Sequence, residues 1–123
     1  MARILVIEDN VDLAEIYRLS LEAAGHEVMG VFDEPDLALA RSDPGAPADL
    51  VILDERLGSR SGSAYVELLR KIFPSAGFLL VSADPDAVEA APRRGFDEAK
   101  RKPVTLKHMV ENIRGLLSKL GKR

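Results

Sequence analysis

Five short runs, four of them apolar and stopped by polar residues, constrain this chain more than any other feature. "RILVI", Arg3–Ile7, stops at Glu8-Asp9-Asn10, and "DLVILD", Asp49–Asp54, stops on its own acid. "EVMGVF", Glu27–Phe32, and "GFLLVSA", Gly77–Ala83, are of the same kind. The fifth run is the exception: "DEAKRK", residues 97–102, carries three bases before a proline. Runs this short, β-branched and apolar without alternation read as parallel strands covered on both faces.

Helical spacing fills the intervals. Leu13, Ile16, Tyr17, Leu21 and Ala24 form a stripe, with Asn10 as its predicted N-cap and Gly25 as its end. Pro35 opens a predicted helix carrying Leu37, Ala38 and Ala40, and residues 42–48, "SDPGAPA", then read as a loop. Ser63–Phe73 predicts a helix closed by Pro74; Pro85 starts a further one, which Pro92 keeps short. Leu106, Met109, Val110, Ile113, Leu116, Leu117 and Leu120 make the last amphipathic helix.

Strand–helix alternation five times over predicts an α/β fold, a three-layer αβα sandwich around a five-stranded parallel sheet. Right-handed crossovers allow the flavodoxin-like order 2-1-3-4-5, which comes with this fold class rather than from any spacing in the chain. Residues 1–123 make one domain, without repeats or a linker. There is no cysteine, hence no thiolate metal site. Two acids within the first ten residues argue against a signal peptide, and no apolar run approaches about 18 residues. The expectation is a cytoplasmic protein without membrane contact.

In such sheets, ligands bind beyond the carboxyl ends of the strands. The first strand ends in Glu8 and Asp9, the third in Asp54, the fourth in Ser82 and Ala83, the fifth in Lys102. Three carboxylates in one crevice repel: a pair at about 4 Å costs on the order of 4 kcal/mol at an effective dielectric constant near 20. Such a cluster needs a cation or a shifted pKa, and an all-oxygen donor set favours Mg²⁺, or Mn²⁺ in its place. The competing reading makes each acid a cap of the next helix. It fits Asp9 well and Glu8 partly. It fits Asp54 poorly, because a serine- and arginine-rich loop follows.

"EDN" after the first strand, "LDERLGSRSG" around Asp54, "VSA" with Ser82 and "RKP" with Lys102 and Pro103 stand in order at four strand ends. In these residues the chain resembles a response-regulator receiver domain, over essentially its whole length. The resemblance implies that Asp54 accepts a phosphoryl group from a phosphohistidine. It assigns the metal to Glu8, Asp9, Asp54 and the backbone carbonyl of Arg56. It assigns phosphoryl binding and switching to Ser82, Ala83 and Lys102, and expects a cis bond before Pro103, which proline makes accessible. Arg56 and Asp84 would flank the attacking water and tune dephosphorylation, pairing across the mouth. Such a chain is no enzyme beyond its own phosphorylation and autodephosphorylation.

Four departures stand against that pattern. Ala99 occupies the place of an aromatic residue whose ring reports phosphorylation, so transmission by ring movement is not expected; the competing expectation is that Phe96 fills part of the space. The spacing from Ser82 to Lys102 is short, Gly58 stands where proline is usual, and Lys100 holds a usually apolar strand position.

Charge is uneven along the chain. Residues 1–92 hold 17 acids and 7 bases (−10), residues 93–123 hold 3 acids and 10 bases (+7), summing to the net −3. The expected partners are a sensor histidine kinase or phosphotransfer protein, and a downstream protein met by the basic face of the fourth helix, fifth strand and fifth helix. The chain would act as a monomer or weak dimer. A basic helix without an aromatic platform predicts no direct nucleic-acid binding. Rival readings are the receiver piece of a longer transcriptional or enzymatic regulator and a pseudo-receiver that is never phosphorylated. A haloacid-dehalogenase-like phosphatase would need an acid where Arg56 stands, and a flavodoxin-like cofactor site would not place "EDN" against a phosphate.

Overall fold

The structure is a computed structural model and describes residues 2–32, 48–57, 60–102 and 105–121. Strands β1 (Arg3–Ile7), β2 (Glu27–Phe32), β3 (Leu50–Asp54), β6 (Gly77–Ser82) and β7 (Glu98–Arg101) form one sheet in the order β2-β1-β3-β6-β7, parallel throughout. Counting these five in chain order, this is the expected 2-1-3-4-5. Between them lie α1 (Val11–Ala23), α2 (Val66–Ile72), α3 (Pro85–Ala90) and, last, α4 (Leu106–Lys119). The helix expected after Pro35, the loop at 42–47, Gly58 and the Lys102–Pro103 bond lie outside the described residues.

The period of two along each strand splits the core. Leu5, Ile7, Val51, Leu53, Phe78 and Leu80 face α2 and α3, where they meet Leu69, Ala87, Ala91 and Phe96. Ile4, Val6, Ile52, Leu79 and Val81 face α1 and α4, where they meet Tyr17, Leu21, Met109 and Ile113. Fully burying a side chain of this size is worth about 1.5–3 kcal/mol. The central strands β3 and β6 are buried at every residue, which is why their sequences show no alternation.

Local signals set the helix ends. The Asn10 side chain accepts the Leu13 N–H at 3.0 Å, and Gly25 leaves α1 at φ +94°, a conformation that favours glycine. Asp84 caps α3 by accepting the Asp86 N–H at 2.9 Å. Pro92 falls inside a 3₁₀ turn, Ala91–Arg94, so α3 stops at Ala90, as its proline demanded.

Two details differ from the sequence reading. The stretch expected as a loop holds a two-residue antiparallel ladder, β4 (Arg56–Leu57) with β5 (Arg60–Ser61). The helix expected from Ser63 opens as a 3₁₀ turn, Gly62–Tyr65, before α2. The charged fifth strand sits at the sheet edge, paired with β6 alone among the described strands, and is only half-buried. Lys100 extends there to Glu98, 3.0 Å away.

Candidate functional site

Parallel pairing sets the site. Ile7 is in register with Leu53, so the next residues, Glu8 and Asp54, emerge side by side. Ser82 closes β6, and its carbonyl accepts the Lys102 N–H at 2.8 Å, which ties the lysine to the same end of the sheet. Glu8, Asp9 and Asp54 each place a carboxylate oxygen within 4.8 Å of the others. The Lys102 ammonium lies 3.0 Å from Glu8 Oε1 and 3.1 Å from Asp54 Oδ2. The expected convergence of strand ends is therefore a cluster of four charged groups.

Burial makes the cluster costly on its own. Glu8 is 3% exposed and Asp54 5%. Burial, reinforced by the Asp54 carboxylate at hydrogen-bonding distance, pushes Glu8 up to about 7 against the pull of Lys102. Burial draws Lys102 down, but its hydrogen bonds and charge contacts with Glu8 and Asp54 hold it above the ordinary lysine value. Glu8 Oε2 also accepts the Asn10 N–H at 3.3 Å, so both of its oxygens are engaged. Asp9 is exposed at the rim.

The donor set fits a hard divalent cation. At magnesium's bond length of about 2.1 Å, ligands across one ion stand roughly 4 Å apart. Three carboxylates already gathered within 4.8 Å need little movement to share one. All are oxygen donors, which excludes a zinc-type nitrogen or sulfur set.

Ser82 is buried, and its hydroxyl oxygen accepts the Asp84 N–H at 3.0 Å. Ala83, between them, is exposed. One Asp84 oxygen is taken by the helix cap, and the position of the Arg56 side chain lies outside the described residues, as does their expected pairing. Ala99 packs, half-buried, against the core cluster that contains Phe96, and Phe96 is itself buried there.

Sequence reasoning missed two residues. Glu55, next to Asp54, is a buried acid, 8% exposed; it accepts the Ser61 hydroxyl and lies 3.7 Å from Arg94. Strand parity turns it away from Asp54, but no pattern in the sequence marks its burial. Gly62 is the other. A Cβ there would stand 1.9 Å from the Asp54 carbonyl oxygen, so only glycine lets the loop pass the strand end. Its N–H also donates to the Glu55 carbonyl at 2.7 Å.

Comparisons with known proteins agree with this geometry. The model of the response regulator receiver domain family matches residues 4–114. A response regulator receiver protein of Anaeromyxobacter sp. is 33% identical over 90% of this chain and 47% of its own length. The probable transcriptional regulatory protein TcrX of Mycobacterium tuberculosis is 32% identical over 96% of this chain and 50% of its own. The chain thus spans about half the length of these curated relatives. Among solved structures, NtrX from Brucella abortus superposes with a TM-score of 0.87 at 26% identity, over 98% of this chain and 28% of that one. The response regulator TrrA from Thermotoga maritima, solved in complex with Mg²⁺ and BeF, superposes at 0.80 and 26% identity, over 95% of this chain and 100% of that one. A family match across nearly the whole chain, carried by a parallel sheet whose strand ends gather Glu8, Asp9, Asp54 and Lys102, makes this chain a member of the response regulator receiver domain family of two-component systems.

Proposed function

We propose that the chain is a phosphoacceptor switch in which Asp54 takes a phosphoryl group from the phosphohistidine of a sensor histidine kinase or phosphotransfer protein. The observation that carries this reading is the placement of the Lys102 ammonium and two further carboxylates around Asp54. An Asp54 oxygen attacks phosphorus, the new O–P bond forms as the N–P bond breaks, and the imidazole leaves. Catalysis of such a loose, in-line transfer is mainly positioning and charge neutralisation. Mg²⁺ (or Mn²⁺), held by Glu8, Asp9, Asp54 and the Arg56 carbonyl, would neutralise charge on the transferring group. Lys102 exchanges its contact with the Asp54 carboxylate for a phosphoryl oxygen. Ser82, whose oxygen already accepts the Asp84 N–H, keeps its hydroxyl proton to donate to another, beside Ala83. Val11, 75% exposed just beyond "EDN", offers the phosphodonor an apolar contact.

Output runs through protein–protein contact at the basic face around β7 and α4, where Arg101 and Lys107 are exposed. Ala99 has no ring to swing, and Phe96 is locked in the core, which supports an atypical switch. Arg56 and Asp84 tune the lifetime of the acyl phosphate from the rim. A second reading, that this is the receiver portion of a longer regulator, is favoured by the half-length match to the curated relatives. The test is incubation with Mg²⁺ and acetyl phosphate followed by intact mass. A gain of one phosphate, absent in Asp54→Asn and absent without the metal, is expected; an unmodified wild-type chain would assign it to the pseudo-receivers.

A further inference from the structure

The residue after Asp54 is a glutamate to which the phosphoryl crevice gives no role. Glu55 is buried, and a carboxylate is tolerated in such a place only where partners replace its water. The Ser61 hydroxyl donates to its Oε1, and the Arg94 guanidinium lies 3.7 Å from its Oε2. The Glu55 carbonyl accepts the Gly62 N–H at 2.7 Å. Main chain and side chain of one residue thus both hold the neighbours Ser61 and Gly62.

Those neighbours close the ladder that leaves the acceptor. Arg56 stands opposite Ser61, and Leu57 opposite Arg60. Hydrogen bonding alternates from pair to pair along antiparallel strands. The Glu55–Gly62 bond closes one rung, so Arg56 and Ser61 form the next rung, the one without hydrogen bonds. The ladder therefore does not consume the Arg56 carbonyl, the one main-chain ligand expected for the metal. Two residues a side cannot hold such a ladder in place unaided, since even a full isolated hairpin is only marginally stable. Gly62 also lies against the Asp54 carbonyl with no room for a Cβ, so the base of the ladder touches the main chain of the acceptor.

We propose that Glu55 is a positioning residue for the metal: through the Ser61 hydroxyl it fixes the base of the β4–β5 ladder, and with it the Arg56 carbonyl. Glu55 acts through Ser61 and Arg56 and is not itself a ligand, since strand parity turns it away from Asp54. Arg94 supplies the counter-charge that a buried carboxylate needs. Groups that orient a metal ligand typically carry about 10–100-fold in metal affinity. The lower end applies here, because β3 already restrains the Arg56 main chain from one side. The inference rests on the metal site of the phosphoacceptor reading and names a residue that keeps that site in shape.

The test is Mn²⁺ binding to the unphosphorylated chain, read from the loss of the free-ion electron paramagnetic resonance signal. Thermal melts without metal establish that each variant is folded. Glu55→Ala should weaken binding about tenfold. Glu55→Gln loses the charge but keeps an oxygen for the Ser61 hydroxyl, and should recover most of that loss. Ser61→Ala keeps the charge and removes the donor; it should match Glu55→Ala, and the double variant should bind no more weakly than either alone. Equal losses in Glu55→Gln and Glu55→Ala would mean that the carboxylate acts by charge alone, and would overturn the positioning. So would additive losses in the double variant, unchanged binding in folded Glu55→Ala, or a wild type that binds no Mn²⁺. Should Glu55→Ala fail to fold, Ser61→Ala at its exposed position decides, and wild-type affinity there overturns the proposal. Failure of the phosphoacceptor reading has a different signature: a wild-type chain that binds Mn²⁺ yet gains no phosphate from acetyl phosphate by intact mass. The affinity differences among the variants then still decide the role of Glu55.

Discussion

Lys100 and Lys102 stand two residues apart at the end of one strand, and each places its ammonium 3.0 Å from a glutamate oxygen. The distances are equal and the environments are not. Lys100 reaches Glu98 on its own edge strand, and both side chains are about a third exposed. Lys102 reaches across to carboxylates at the ends of two other strands, 2% and 7% exposed at the side chain, which face each other in the crevice. An exposed pair gains little, because water competes and long side chains lose freedom. A buried group deprived of its partner is left with a charge it cannot solvate. The contact distance alone says nothing about which regime applies; the strand each partner comes from does.

The largest effect that can break this contrast is expected from Lys102→Met. The apolar stem is retained and the charge removed, leaving Glu8 and Asp54 to repel in the crevice. Loss of one partner from a buried ion pair costs about 3–5 kcal/mol. The lower end is expected here, because Glu8 can take up a proton near neutral pH. Denaturant unfolding without divalent metal measures it, and millimolar Mg²⁺ should restore more stability to the variant than it adds to the wild type. A variant as stable as the wild type without metal would show that Lys102 does not neutralise the pair.

Gly62→Ala comes next and acts on the same crevice through the backbone. The added Cβ meets the Asp54 carbonyl oxygen at 1.9 Å and its carbon at 2.9 Å, both main-chain atoms that cannot rotate aside. Overpacking of this kind costs about 1–3 kcal/mol. The loop that leaves Asp54 must shift, so phosphorylation by acetyl phosphate should fall along with stability. Full phosphorylation in a destabilised variant would place the shift away from the acceptor.

The contrast between the lysines also explains what was legible in the sequence. Strand ends were, because β1, β3 and β6 are buried on both faces and break off where the chain turns polar. Once the parallel order is given, Glu8, Asp54, Ser82 and Lys102 converge without any fitting of side chains. Glu55 was not legible, because its burial depends on where Ser61 and Arg94 come to rest after a ladder too short to leave a pattern. Gly62 reads as an ordinary loop glycine until the Asp54 carbonyl is seen beneath it. Periodicity reports faces; it does not report the approach of one loop to another.

The smallest effect sharpens the comparison from the other side. Lys100→Ala removes an ammonium with the same 3.0 Å contact, yet should cost under about 0.5 kcal/mol, the range of exposed pairs. Two things could make the cost larger. The lysine stem could cover the edge of β6, in which case Lys100→Met would recover what Lys100→Ala loses, as stems that shield apolar surface do. Or the Glu98 pair could hold the edge strand in register, in which case Glu98→Gln should cost as much as Lys100→Ala, and the double variant no more than either alone. A near-zero value in all three, measured by denaturant midpoint beside Lys102→Met, means that two lysines with one contact distance differ severalfold or more in energy because one lies among strand ends and the other along an edge.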